Sequence, residues 1–326
     1  MNKMWWIFFA LLIVSVANAG SENGVYGYGY WMPRMGSEYL KMVNDNSPKT
    51  GPEKCERVYS RALNKGVLDV RYALGYFDDS TGAERVINGV KYGISTSLDI
   101  EVYHALRKIL KARCSDRSVQ LCEFSESGDP DSGKVVLQKY VNLHGKKTLV
   151  RLTLTQASAT SSFAQNKSSH ADRQRRLTAL SEDNFFNGLK TADVVFYNGH
   201  SRNGGGPNFN QPILIWNLKV NYKGYYEVKR PGIRRTMLSL SESANKDVIV
   251  GFFSCYAKKH FYDTFMQANP RQRVILSADT IDYFDSLKAS VGYLEGILRG
   301  SCGQELADTA KQIDKIKNGF QGYNIN

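Results

Sequence analysis

The sequence predicts an α/β protein with a mostly parallel sheet covered by helices, preceded by a smaller α+β domain. Three observations carry this expectation. Val194–Tyr197, Val248–Phe253 and Val274–Leu276 are short apolar runs without alternation, the pattern of strands buried on both faces. Stretches fit for helices surround them, Glu182–Leu189, Tyr283–Leu298 and Gly303–Ile316. Upstream, alternating strands mix with a single helical spacing, which suits an α+β unit.

Taken in order, Met1 to Ala19 has a positive start at Lys3, an apolar run from Trp5 to Val14, and small residues in Ala17-Asn18-Ala19. That is the grammar of a secretory signal peptide, and the run is too short for a transmembrane helix. Residues 20–52 form a Gly- and Tyr-rich leader around Tyr26-Gly27-Tyr28-Gly29-Tyr30. Val67–Tyr76 and Val86–Ile94 read as strands split by the turn signal Asp78-Asp79-Ser80-Thr81-Gly82. Asp99–Arg113 carries apolar residues at Val102, Leu106, Ile109 and Leu110, a helical spacing, behind a Thr96/Asp99 capping pattern. Val119–Phe124, Val135–Leu143 and Thr148–Thr155 are the next strands, the last two joined by His144-Gly145-Lys146. In the third, Val150, Leu152 and Leu154 share a face. Ala157–Ser169 reads as a loop, and Ser181 as the cap of the helix over Glu182–Leu189. The expected boundary between the α+β domain, 53–146, and the α/β domain, 147–326, falls at the tight connection.

Composition narrows the class. At 42% apolar and 23% charged, the chain of 326 residues is too apolar for a disordered protein and too charged for a polytopic membrane protein. A formal charge of +12 suits contact with an anionic envelope surface. Its densest clusters, Arg173/Arg175/Arg176 and Lys229/Arg230/Arg234/Arg235, lack the interleaved aromatics of a nucleic-acid site, so nucleic acid is not an expected partner.

Export into a periplasmic or extracellular compartment lets cysteines oxidise, and five leave one over. Cys114 and Cys122 flank a turn and are expected to pair, Cys55 and Cys302 are the remaining couple, and Cys255 is the odd thiol. Two apolar strands run out in reactive residues, as Tyr197-Asn198-Gly199-His200-Ser201 and Phe253-Ser254-Cys255-Tyr256. Functional crevices of open α/β sheets lie at the carboxyl ends of strands. Neighbouring parallel strands would bring His200 and Cys255 together there, a nucleophile beside its proton carrier. The plain alternative is that Cys255 is inert packing.

An apolar block ending in Gly-His, followed some 50 residues on by an apolar block ending in Cys, resembles the caspase-like cysteine peptidases. These include metacaspases, gingipains, clostripain and legumain. The resemblance covers about residues 150–315 and departs at two places: Ser201 stands where Gly is usual, and Tyr256-Ala257 follows the cysteine in place of a small residue and Gly. It implies peptide-bond hydrolysis of a protein or peptide substrate without a metal or cofactor. Cys255 would be the nucleophile, His200 the general acid for the leaving amine, and the Ser201 and Cys255 backbone N–H groups the oxyanion donors. Gly204 and Gly205, in Asn203-Gly204-Gly205-Gly206-Pro207, would shape the substrate rim. Asp279, after the third apolar strand, would be an acidic pocket floor for Arg or Lys, or simply a helix cap. Arg173–Arg176, read as loop, would offer a processing site. His260 is expected to point away from the thiol. The competing expectation is a catalytically silent module that binds a protein partner or an anionic surface.

Overall fold

The computed structural model describes residues 55–77, 86–87, 90–91, 99–114, 119–160, 163–167, 169–216, 219–227, 232–278, 280–281, 283–303 and 305–308. Helix α1, Glu56–Lys65, leads into β1, Val67–Leu74. Val86–Ile87 (β2) and Val90–Lys91 (β3) form a separate antiparallel pair. Helix α2, Asp99–Lys111, precedes three strands, β4 at Ser125–Ser127, β5 at Lys134–Leu143 and β6 at Lys146–Thr155. A short helix α3, Phe163–Lys167, and the long α4, Ala171–Thr191, lead to β7, Val194–Asn198. Then come α5, Gly224–Glu227, α6, Ile233–Ser241, β8, Ile249–Phe253, α7, Ala257–Ala268, β9, Arg273–Leu276, and α8, Tyr283–Leu298.

Seven strands make one sheet in the order β4-β5-β6-β1-β7-β8-β9. β6, β1, β7, β8 and β9 run parallel, while β4 and β5 add antiparallel. From β1 the parallel strands proceed first to β6 on one side and then to β7 on the other. The direction of winding therefore reverses at β1, and in open α/β sheets the carboxyl ends beside such a reversal are where ligands commonly bind.

Side chains of these strands alternate between two apolar layers. Val70, Tyr72, Val150, Leu152, Leu154 and Phe196 pack with α1, α2 and α8 on one face. Val195, Tyr197, Val250 and Phe252 pack with α4, α6 and α7 on the other. Both faces are covered, which is why β7 and β8 are apolar at every position but Asn198 and Gly251.

Two disulfides close the first layer, Cys55–Cys302 and Cys114–Cys122, and Cys255 is a free thiol, all as the sequence implies. Cys55–Cys302 ties the start of α1 to the segment after α8, and the Tyr59 hydroxyl donates to the Ser301 carbonyl at 2.5 Å beside it. No helix among the described residues is long and apolar enough to cross a membrane.

Several expected elements differ. The boundary anticipated at 146/147 lies inside the β5–β6 hairpin, and β1 sits between β6 and β7, so one sheet runs across it. Residues 119–124 are not a strand. Their amides go elsewhere: the Glu295 carboxylate on α8, fully buried, accepts the N–H groups of Gln120 and Leu121. Ser181 is not a cap but lies in mid-helix on α4, its hydroxyl donating to the Gln156 carbonyl at 2.7 Å. Arg173–Arg176 is helical as well, in the first turns of α4, with Gln174 buried and bonded to Ala157 and Ala159. A cleavage there would first need the helix to open. Of Gly303–Ile316, Gly303 and residues 305–308 are helical and the rest lies outside the described residues, as do the signal segment and the Gly/Tyr-rich leader.

Candidate functional site

The candidate site lies past the carboxyl ends of β1, β7 and β8. Gly75 N–H donates to the Asn198 carbonyl at 2.8 Å and Tyr76 N–H to the Asn208 carbonyl at 2.9 Å, so the chain after β1 is sewn to the chain after β7. Tyr197 folds its ring back over this loop. Its hydroxyl donates to the His200 carbonyl at 2.9 Å and accepts the Asn208 N–H at 2.9 Å. Gly199 makes that fold-back feasible, because a Cβ there would stand 2.5 Å from the Tyr197 hydroxyl. Gly199 is thus a packing requirement of Tyr197 as well as part of a motif.

His200 is half-buried, its ring centroid 5.7 Å from that of Phe77, which follows β1. Ser201 is buried, and its carbonyl accepts the N–H groups of Gly204 and Gly206 at 3.0 and 2.9 Å. Between them Arg202, Asn203 and Gly204 all have positive φ, 48°, 53° and 90°. A non-glycine pair in that region is uncommon and costly. Arg202 is 2% exposed, with its guanidinium 5.6 Å from the Tyr225 ring centroid.

Gly204 and Gly205 are buried, not an open rim. A Cβ on Gly204 would come within 2.6 Å of the Tyr226 hydroxyl and 3.2 Å of His260 Nδ1, and one on Gly205 within 2.5 Å of Tyr225 Cβ. Their missing side chains let α5 close over the loop. The bond from Gly206 to Pro207 is cis.

Cys255 follows β8 in a sharp turn into α7. Tyr256 has a left-handed backbone, φ 51° and ψ 33°, and Ala257 starts the helix. Ser277, just past β9, fixes this turn: its hydroxyl donates to the Ser254 carbonyl and accepts the Ala257 N–H at 3.3 Å, and its carbonyl accepts the Lys258 N–H at 2.9 Å. Those two helical amides are therefore engaged and are not oxyanion donors. The Cys255 thiol is half-buried and donates to the Ile281 carbonyl at 3.4 Å.

β7 and β8 are adjacent and parallel, with Asn198 opposite Phe253 and the Gly199 N–H bonded to the Phe253 carbonyl at 3.3 Å. His200 and Cys255 each come two residues after that rung. The turn Arg202–Gly204 also packs on α7. His260, on the first turns of α7, is not directed simply to solvent: it lies half-buried against Gly204, and burial followed by the Lys259 charge lowers its pKa. Burial likewise raises that of Tyr226 beside it. Asp279 lies outside the described residues.

Most exposed large apolar side chains among the described residues lie in the segments after β7 and β8. Ile215, Trp216, Tyr222, Tyr226, Tyr256 and Tyr262 all belong to the segments that follow the two candidate residues, and Trp216 is 93% exposed. Sequence reasoning missed these exposed aromatics, and Phe77, Tyr197, Ser277 and Arg202 as well. The aromatic density of 222–226 and 256–262 was the available signal. Among the described residues no group of three or more His, Cys, Asp or Glu side chains is arranged to hold a metal ion.

No family model, curated protein or solved structure matches the chain. Fold and site together define an α/β protein with a mostly parallel sheet, carrying a histidine and a free cysteine just past the carboxyl ends of two neighbouring strands.

Proposed function

We propose that the chain is an exported cysteine endopeptidase of the caspase-like type, acting through a Cys255–His200 dyad without a cofactor. The observation that carries this reading is the rung Asn198–Phe253, from which both candidate residues follow by two positions on adjacent strands. The apolar leader at 1–19 and the two disulfides support export to an oxidising compartment.

In the proposed reaction His200 takes the thiol proton of Cys255, and the sulfur attacks the scissile carbonyl carbon. Backbone N–H groups of Ser201 and Cys255 hold the oxyanion, at roughly 3 kcal/mol per donor. His200 then gives its proton to the departing amine, leaving a thioester on Cys255. Water, deprotonated by His200, cleaves the thioester; the acid product leaves and the thiol regains its proton. Gly204 and Gly205 serve by letting α5 pack close, and the aromatic side chains beyond them offer apolar contact to a peptide.

A second reading, a silent module that binds a protein partner or an anionic surface, draws on the exposed aromatics and on the Cys255 thiol bond to Ile281. Activity decides between them. The chain from Gly20 onward, tested with fluorogenic peptides of every residue at the cleaved position and with calcium in a parallel series, should hydrolyse a subset. Cys255→Ala and His200→Ala should each lose several orders of magnitude, and the double variant no more than either, because the pair acts as a unit. Cleavage by none of the reduced preparations would leave the binding module. Should the preference be for Arg or Lys, Asp279→Ala should weaken it.

A further inference from the structure

We infer that Ser286 on α8 is a positioning residue for the His200–Cys255 pair, a step that rests on the reading above. Its hydroxyl is buried directly beneath the two strand ends. It lies 2.5 Å from Asn198 Oδ1 and 3.2 Å from the Phe253 carbonyl, so one group from a third element reaches the last residue of β7 and the last residue of β8.

The surroundings make this contact hard to replace. Asn198 and Ser286 are 0% and 2% exposed, so water is not at hand as a substitute donor. The Asn198 Nδ2 donates to the Tyr72 hydroxyl at 3.3 Å, that hydroxyl bonds Ser290, and Ser290 donates to the Leu287 carbonyl at 2.8 Å. Two serines one turn apart on α8 thus reach β1 at Tyr72 and the ends of β7 and β8. The Phe253 carbonyl also accepts the Gly199 N–H, immediately before His200. Loss of the Ser286 hydroxyl strands Asn198 Oδ1 in an apolar layer, and the side chain must turn to find a donor. The shift is handed to His200 through Gly199, the one residue between them. Misplacement by about 1 Å can cost on the order of a hundredfold in rate while binding persists.

The test compares wild type with Ser286→Ala, Ser286→Thr and Ser181→Ala, the last removing an equally buried hydroxyl bond on the opposite face. Thermal unfolding confirms that each folds. Ser286→Ala should lower kcat for a fluorogenic peptide by about tenfold to a hundredfold with KM within about threefold. Ser286→Thr should restore it, and Ser181→Ala should leave it unchanged. An independent readout is the pH profile of Cys255 alkylation by iodoacetamide, with His200→Ala as the reference for an uncoupled thiol. The Ser286→Ala profile should move onto that reference. Retention of both kcat and the wild-type profile overturns the proposal, as does a wild-type profile already equal to that of His200→Ala. If no peptide is cleaved by wild type, the peptidase reading fails by itself, and the alkylation profiles alone decide on Ser286. Should Ser286→Ala not fold, Asn198→Ala removes the acceptor instead and is judged by the same criteria.

Discussion

Asp99, the first residue of α2, is fully buried and accepts the N–H groups of Ala157 and Ser158 at 2.8 Å and the Ser158 hydroxyl at 2.6 Å. It thereby pins the chain leaving β6. Burial outweighs these three donors and pushes its pKa from the ordinary 3.8 to about 6. A carboxyl that binds its proton more tightly when folded stabilises the fold most below pH 3.8, and that contribution is lost as pH rises through about 6. Asp99→Asn removes the titration. Urea unfolding from pH 3 to 7 should show the variant gaining about 3 kcal/mol relative to wild type across that window. A constant difference would mean that the three donors compensate burial fully. At this scale the placement of His200 and Cys255 just past two neighbouring strands was legible, since an apolar strand advertises whatever ends it. Phe77, Tyr197, Ser277 and Ser286 were not, because each acts on a residue from another element or through a fold-back that no spacing encodes.

Elements were readable where local pattern and final environment agree. β7, β8 and β9 are apolar but for Asn198, Gly251 and Arg273 and buried but for Arg273, and α2 buries the very side chains its spacing marks. Residues 119–124 read as a strand from their apolar content, but Glu295, distant in sequence, takes two of the amides a ladder would need. α4 was underestimated because its first turns, Ala171 to Arg176, are polar and resemble a loop until Gln174 is seen bonded inward. The two disulfides illustrate the same contrast in energetic form. Cys114–Cys122 spans 8 residues and Cys55–Cys302 spans 247. On chain entropy the short bridge contributes roughly 2.5 kcal/mol and the long one about 5 kcal/mol. Paired Cys→Ala replacements, compared by denaturant unfolding, should rank in that order. Equal losses would indicate that the unfolded chain retains structure around Cys55 and Cys302.

At the scale of the whole molecule, strand order was the least legible property. β1 comes first of the seven-stranded sheet yet lies in its middle, a place fixed by pairing with β6 and β7, which begin at Lys146 and Val194. Reading the chain as two successive domains missed that these later strands enclose the earlier one. The same placement makes β1 the strand where the winding turns round. The Cys55–Cys302 bridge has a mechanical corollary. Every strand of the sheet lies between those residues, so a pull on chain outside them travels through the sulfur–sulfur bond and bypasses the sheet. In an optical trap, with handles placed outside the bridge, the oxidised molecule should show no rupture of the sheet. Adding reductant should release the 247-residue span, a gain of about 850 Å at roughly 3.3–3.6 Å per residue. While the bridge is intact, tension borne outside it does not reach the strand ends, and His200 and Cys255 would keep their relative places under load.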